Sequence, residues 1–448
     1  VLDVLSNLLD GFSLSSASTT LNESSHDITV TTGKVYTPAF GGEFSDICAN
    51  FGQDGSFAGG VTAQGNKDES GQGNFYYAVP SGFKAICAAN LPITTPSILD
   101  PKKHFDTLLY TGDGSSNNEV TGLEFKPDLV WIKSRSATTD HVWQDSVRGN
   151  YILYSNSNAQ EGATGGGWVK NMNEHGFVTD VNGPINTDSA TYVAWCWKAG
   201  GAAVSNSDGT ITSSVSANTE AGFSIVSYTG NETNNATVGH GLGKSPDMVI
   251  IKDRDSNTAG NNWYVFHSGL ASGHYVKLNQ TSATTAVSGT SNGGVGSVTS
   301  TTFNFVQGTT GNNKNVNENG DNFIAYCFTS IPGYSKFGSY TSNNSTNGPF
   351  INLGFKPAFV VFKGVTDAVD WVLYDNKRNT GNPVGSLLQP SNTDAEYSTD
   401  VNIDFVSNGV KIRADSGYMN NPDDRQFIYM AFAERPSGTI FGLDANAR

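Results

Sequence analysis

Three stretches of the chain combine residue types that can hold a ligand. Trp143-Gln-Asp145-Ser-Val-Arg148-Gly149 places an indole, a carboxylate and a guanidinium within seven residues. Trp371 with Asp375 and Arg378 repeats the set at altered spacing, and Trp263 is followed by neither an acid nor an arginine at those places. An aromatic plane beside Asn, Asp or Arg is how lectin-like surfaces stack on sugars while hydrogen-bonding their hydroxyls. Trp143, Asp145, Arg148, Trp263, Trp371, Asp375 and Arg378 are therefore the candidate ligand-binding residues. They also have a structural reading, in which each Trp anchors a core behind a central strand and Asp145 with Arg148 fixes a turn.

Other chemistries find less. The sequence has no Gly-x-Ser-x-Gly elbow, phosphate loop, dinucleotide fingerprint or His-Glu-x-x-His helix. The closest histidines, His267 and His274, lack repeat-equivalent partners and do not read as a metal site. Asn315-Val-Asn317-Glu-Asn319-Gly320-Asp321 starts like a calcium loop, but Tyr326 stands where the bidentate Glu belongs, so Asn-rich turn chemistry is the better reading. Asp253-Arg-Asp255-Ser-Asn257 also starts well and then misplaces its Gly. Cys48, Cys87, Cys196 and Cys327 form neither a disulfide framework nor a Cys-x-x-Cys zinc ribbon, and so few thiols fit folding in a reducing cytosol. The expectation is a protein that is not an enzyme and uses no cofactor or metal.

The elements that position these residues recur three times. Tyr110-Thr-Gly, Tyr228-Thr-Gly and Tyr340-Thr-Ser each precede a Gly/Asn/Ser-rich stretch. Leu123-Glu-Phe-Lys-Pro127, Leu242-Gly-Lys-Ser-Pro246 and Leu353-Gly-Phe-Lys-Pro357 follow, each leading into a β-branched and aromatic run: Asp128 to Lys133, Asp247 to Lys252, Ala358 to Lys363. A Trp comes next (143, 263, 371), and each unit closes on an aromatic strand: Tyr192 to Trp197, Phe323 to Phe328, Phe427 to Phe432. The prolines lie roughly 110 to 120 residues apart, the size of a small β domain and far beyond solenoid periods. Pro suits the first position of a strand, and the run behind it is apolar on both faces, as in a central sandwich strand. Gly176-Phe177, Gly222-Phe223 and Asn408-Gly409 read as hairpin or strand-start signals. Six or seven strands per unit suffice for two packed sheets. Cys196 and Cys327 share one position with Ala431, so the site asks for a small buried side chain.

The expected organisation is an N-terminal region over residues 1–104, repeat 1 over 105–200, a linker or added edge strand over 201–221, repeat 2 over 222–336, repeat 3 over 337–436 and a tail over 437–448. The short junction Ile331-Pro-Gly-Tyr334 suggests close-packed neighbours. Residues 1 to 9 put Val1, Leu2, Val4, Leu5, Leu8 and Leu9 at helical spacing before Gly11, a short helix for this protein's own core or for a partner. The fold class is all-β: tandem β-sandwich, jelly-roll-like domains with a β-rich N-terminal region.

Composition agrees. The chain has 448 residues, 15% of them charged, and a net charge of -15, which does not suit phosphate backbones, so nucleic acid is not an expected partner. No run approaches the roughly 18 apolar residues of a membrane span. Gly, Ser, Thr and Asn make up roughly four residues in ten, interspersed with 25 Phe, 17 Tyr and 7 Trp. Short strands joined by polar turns follow from that mixture.

Asn50-Phe51-Gly52-Gln53 and Pro80-Ser-Gly-Phe-Lys84 through Asn90-Leu-Pro92 resemble the last strands of SPRY-type modules in bacteriophage structural proteins. The repeat phrases Tyr-Thr-Gly, Leu-Gly-Phe-Lys-Pro and Tyr192-Val-Ala-Trp-Cys-Trp-Lys-Ala-Gly-Gly201 resemble a domain recurring in tail-fibre-like and other virion proteins of marine bacterial and cyanobacterial phages. The resemblance implies a virion structural protein, assembled in the bacterial cytoplasm, that contacts other virion proteins and a host-surface polysaccharide or receptor. By analogy with fibres it implies a homotrimer. A capsid or tail decoration protein is the alternative, and a polysaccharide depolymerase a third.

Overall fold

Each closing strand reads as two faces. In Thr191–Trp197 the alternate residues Val193, Trp195 and Trp197 enter one hydrophobic cluster, while Tyr192, Ala194 and Cys196 enter another. Asn322–Phe328 splits the same way, with Ile324, Tyr326 and Phe328 against Phe323, Ala325 and Cys327. Gln426–Pro436 does so with Ile428, Met430 and Phe432 against Tyr429, Ala431 and Ala433. Successive side chains of a strand point to opposite faces, so a strand apolar at every position must be covered on both sides. Here one side is the repeat's own sandwich core and the other is a core shared by all three repeats.

The structure is a computed structural model describing residues 54–56, 59–79, 85, 96–163, 168–181, 183–255, 261–287, 293–306 and 315–436. The expected helix at 1–9, the SPRY-like phrases at 50–53 and 80–92 (Ala85 apart) and the tail at 437–448 lie outside the described residues. The chain divides into two compact units, Val1–Ile93 and Thr94–Arg448. In the first, Asn66 bridges Phe75, and the Asp68 carboxylate accepts from the backbone N–H groups of Ser70, Gln72 and Ala85.

Among its described residues the second unit is all-β apart from one 3₁₀ turn at Pro101–Lys103. Repeat 1 contains β1 (Phe105–Thr111), β2 (Asn118–Thr121), β3 (Leu129–Ser134), β4 (Val142–Asp145), β5 (Tyr151–Tyr154), β6 (Gly162–Ala163), β7 (Val169–Asn173), β8 (Gly176–Thr179) and β9 (Thr191–Trp197). Its large sheet has the order β1-β9-β3-β4-β5-β6, and β2-β8-β7 forms the small outer sheet. Repeat 2 contains β10 (Val204–Asn206), β11 (Ser213–Asn218), β12 (Phe223–Thr229), β13 (Thr237–Gly239), β14 (Met248–Asp253), β15 (Tyr264–His267), β16 (His274–Lys277), β17 (Thr285–Ala286), β18 (Gly294–Val298), β19 (Thr302–Val306) and β20 (Asn322–Phe328). Its sheets run β10-β11-β12-β20-β14-β15-β16-β17 and β13-β19-β18. Repeat 3 contains β21 (Ser335–Thr341), β22 (Phe350–Asn352), β23 (Phe355–Gly364), β24 (Val372–Asp375), β25 (Val384–Leu387), β26 (Tyr397–Val406), β27 (Gly409–Ile412) and β28 (Gln426–Pro436), in sheets β21-β28-β23-β24 and β22-β27-β26-β25.

The all-β sandwich architecture expected from the sequence is present, and three details differ. Of the two readings of residues 201–221 the added edge holds, since β10 and β11 extend the large sheet of repeat 2 along the edge of β12. Repeat 3 begins at Ser335, because β21 pairs with β28 from there. There are more strands per repeat than six or seven, the additions being two- to four-residue pieces too short to show periodicity. Pro357 lies inside β23, where register shifts on both sides mark a bulge that tolerates its missing N–H.

The shared core explains the aromatic content. Trp131, Trp143, Trp195 and Trp197 of repeat 1, Trp263, Tyr326 and Phe328 of repeat 2, and Phe359, Trp371 and Phe432 of repeat 3 all belong to it. Each ring of that size removes 150–250 Å² from water, roughly 4 to 6 kcal/mol at the usual coefficient. Pulling the repeats apart would expose all of them, so the repeats form one cooperative body.

Candidate functional site

The seven candidate residues do converge, but inward. β3 and β4 pair Leu129 with Asp145, β14 and β15 pair Met248 with His267, and β23 and β24 pair Phe359 with Asp375. Asp145, His267 and Asp375 are therefore equivalent, and counting back gives His141, Trp263 and Trp371 as the second equivalent set. Trp143 corresponds to Val265 and Leu373. The three Trp residues are thus not one position, contrary to the expectation from sequence order. The altered spacing in repeat 3 arises from the Trp; Asp375 and Arg378 keep the three-residue separation of Asp145 and Arg148. Backbone contacts confirm the alignment: the N–H groups of His141, Trp263 and Trp371 donate to the side chains of Asn156, Asn279 and Ser391 respectively.

All seven are at most 8% exposed, and the Asp145, Arg148, Asp375 and Arg378 side chains are fully buried. None offers a ring face or charge to a dissolved sugar, which corrects their assignment as a ligand-binding surface; they hold the repeats together. Arg148 Nε donates to Asp145 Oδ2 at 2.6 Å and its other nitrogens to the Trp143 and Tyr151 carbonyls. Tyr326 of repeat 2 donates its hydroxyl to the same carboxylate oxygen at 2.7 Å. Glu161 lies 3.6 Å from Arg148 and accepts two hydrogen bonds from Arg254 of repeat 2, at 2.7 and 2.9 Å. Burial works against the Arg148 charge, but Asp145, Tyr326 and Glu161 outweigh it and raise its pKa above the ordinary value.

The interface between repeats 3 and 1 repeats this. Arg378 Nε donates to Asp375 Oδ2 at 2.6 Å, Trp195 Nε1 of repeat 1 donates to that oxygen at 3.1 Å, and Glu396 accepts from both Arg378 and Arg135 of repeat 1. Burial opposes the Glu396 charge, yet the two arginines hold its pKa below the usual carboxylate value.

Between repeats 2 and 3 the geometry persists without the charges. His267, Leu270, Thr284 and Val365 stand where the other interfaces carry Asp, Arg, Glu and Arg. The Glu161, Glu396 and Thr284 N–H groups donate to the Arg254, Arg135 and Val365 carbonyls at 2.8, 2.9 and 2.9 Å. His267 accepts at Nδ1 from the Gly269 N–H and so presents Nε2–H to the Tyr429 carbonyl of repeat 3, 3.1 Å away. Burial lowers its pKa to about 4.

A second set of contacts runs round the ring the other way. Trp263 Nε1 donates to the Tyr154 and Ser157 carbonyls of repeat 1, and Trp371 Nε1 donates to the Lys277 carbonyl of repeat 2. His141, their equivalent, faces the Gln389 backbone of repeat 3, and burial keeps its pKa far below the ordinary value. The smaller His141 sits beside the larger Trp131, whose equivalents are Ile250 and Val361. Contacts passing from 1 to 2, 2 to 3 and 3 to 1 close a pseudo-threefold ring within one chain.

Sequence reading missed two further repeated features. Lys133, Lys252 and Lys363 end their strands fully buried, with ammonium groups bonded to backbone carbonyls, and burial lowers each pKa to about 8. Asn186, Asn317 and Asn420 are also fully buried. Each bonds to the polar loop that follows the Tyr-Thr-Gly/Ser phrase of its repeat, through the Asp113, Asn231 and Asn343 backbone N–H groups. The tyrosines of that phrase donate to the residue preceding each Asn: Tyr110 to the Ile185 carbonyl, Tyr228 to Val316, Tyr340 to Met419. An Asn recurring five or six residues before each closing strand was the available signal. Cys196 and Cys327 are buried and free, and burial raises both thiol pKa values.

Among the described residues no three His, Cys, Asp or Glu side chains gather as a metal site, and no helix is long and apolar enough to cross a membrane. An open cleft lies where repeat 1 passes into repeat 2, beside His104, Lys126, Lys198 and Glu220. No curated protein matches the chain. The match to a known family runs over residues 100–436 and takes in all three repeats together, and the chain belongs to that family, described as a domain of unknown function, DUF7483.

Proposed function

We propose that the protein is a non-enzymatic structural component of a bacteriophage virion, a tail-fibre-like or adhesin-like part that contacts the host envelope. The observation that carries this reading is where the polar chemistry goes. The described acids and bases of the seven-residue set are consumed in sealing the repeats, and the Asn, Ser and Thr groups of three anchored loops are left to solvent. A body so built supports contact and mechanical persistence better than turnover. The phage-like repeat phrases point the same way. The test is binding of the purified chain to host cells and to a glycan array; no binding at high avidity counts against attachment.

The pseudo-threefold ring favours the decoration reading as the second choice, because such a body matches a threefold position in a shell. Locating its density in an intact virion separates the two. Light scattering on the purified chain distinguishes one copy of 47.5 kDa from the homotrimer that fibres imply.

A further inference from the structure

The three-repeat body has two unlike ends. The first strands of the repeats start together: Phe105 stacks on Phe432 with ring centroids 5.0 Å apart, Phe223 on Phe328 at 4.7 Å, and Phe328 meets Phe337 and Phe432 at 5.8 and 6.1 Å. The closing strands return there, since Trp197 pairs with Phe105, Phe328 with Phe223 and Phe432 with Ser335. Residues 100 and 436 therefore enter and leave the body at this junction end.

From the junction β1, β12 and β21 each run seven residues outward, roughly 20 Å at strand rise. Their far ends carry loops 113–118, 231–235 and 343–347, whose exposed side chains are amides and hydroxyls apart from the carboxylates Asp113 and Glu232. Nothing in these loops is apolar. Each is fixed beneath by the buried Asn and by a Tyr that stacks on the closing strand: Tyr110 on Tyr192, Tyr228 on Phe323, Tyr340 on Phe427. Asn117, Asn235 and Asn344 hold left-handed backbone at φ 75°, 61° and 47°. Asn is among the non-glycine residues that take this backbone most readily, and the buried Asn and stacked Tyr beneath hold each loop in place.

We propose that these three loops are the ligand-contacting surface and that they take a neutral, polyhydroxylated polysaccharide. This rests on the attachment reading above. Amides and hydroxyls supply the donors and acceptors that sugar hydroxyls use, the exposed Asp113 and Glu232 disfavour an anionic polymer, anchored loops lower the ordering cost of binding, and a repeating polymer can engage more than one loop.

The test uses the full chain on an array of purified bacterial capsular and O-antigen polysaccharides, then titration of the strongest binder. Asn117→Gly, Asn235→Gly and Asn344→Gly are combined, because glycine accepts the same left-handed backbone while the exposed amides are lost, among them the Asn117 Oδ1 that accepts from Lys170. The expected result is at least a tenfold loss of affinity with an unchanged melting temperature, and a smaller loss for each single change. Glu220→Ala at the junction end is expected to bind as the wild type does. If the triple variant binds within twofold of the wild type, the loops are not the surface, while attachment stands. If the wild type binds no polysaccharide, the attachment reading fails and takes this inference with it.

Discussion

The interfaces of repeat 1 and the interface between repeats 2 and 3 join the same backbone in two ways. At the first pair, four charges meet in the order Arg, Glu, Arg, Asp, the last two fully buried and the first two partly exposed, finished by a Tyr or Trp donor from the neighbour. At the other, His267, Leu270, Thr284 and Val365 close the same gap with one hydrogen bond from an uncharged imidazole. Since the ring closes in both styles, closure itself does not need the charges. Desolvating two ions costs several kcal/mol each, and a buried pair repays this only when every lone pair and N–H is used. The buried aspartates meet that condition, each accepting four hydrogen bonds, so the networks cost little while whole. What they add is intolerance of partial loss.

The largest effect should come from breaking one network in the middle. Arg378→Leu leaves the fully buried Asp375 without its ion-pair partner and the partly buried Glu396 with Arg135 alone, and should cost about 3 to 5 kcal/mol in urea denaturation. The same residue type stands harmlessly at Leu270, so shape is not the cause. A loss under 1 kcal/mol would show that the buried charges are not coupled as the distances imply.

Acid should find the neutral interface. The imidazole of His267 titrates at about 4 in the folded chain and near 6.5 when unfolded, so the unfolded state takes up the extra proton between those values. Its contribution is complete above pH 6.5 and is lost as pH falls toward 4, on the order of 3 kcal/mol. Protonation would also turn Nδ1 from an acceptor into a donor facing the Gly269 N–H. His267→Gln should therefore flatten the stability profile between pH 6.5 and 4 relative to the wild type. Parallel profiles would assign the acid sensitivity elsewhere.

How much of this could be read from the residues differs by level. The run Leu129-Val-Trp-Ile132 behind Pro127 was legible as a strand apolar on both faces because periodicity is local. The shared core was not, since nothing within one repeat says what lies beyond its second face. Aligning repeats by their Trp residues failed for a physical reason: strand register is set by ladder pairing, and the core accepts Trp131 beside His141 in one repeat and Trp263 or Trp371 in the others. The Asp-x-x-Arg spacing of Asp145 and Asp375 was the truer ruler, because both ends of that pair are fixed to one turn. Arg254 with Glu161 and Arg135 with Glu396 stand far apart in the chain, and only the folded ring brings them together.

The smallest expected change comes from the largest replacement. Asp145→His, Arg148→Leu, Glu161→Thr and Arg254→Val together rebuild the interface of repeats 1 and 2 in the manner of repeats 2 and 3. Removing a complete buried network in favour of packed, uncharged groups is commonly neutral or stabilising, whereas removing one member is not. The fourfold variant should stay within about 2 kcal/mol of the wild type, while Arg148→Leu alone falls well below both. Coupling of this sign between neighbours is what a mutant cycle isolates. If the fourfold variant instead loses as much as the single one, the two kinds of interface are not interchangeable, and Tyr326, which would keep its hydroxyl without the Asp145 carboxylate, is the first place to look for the reason.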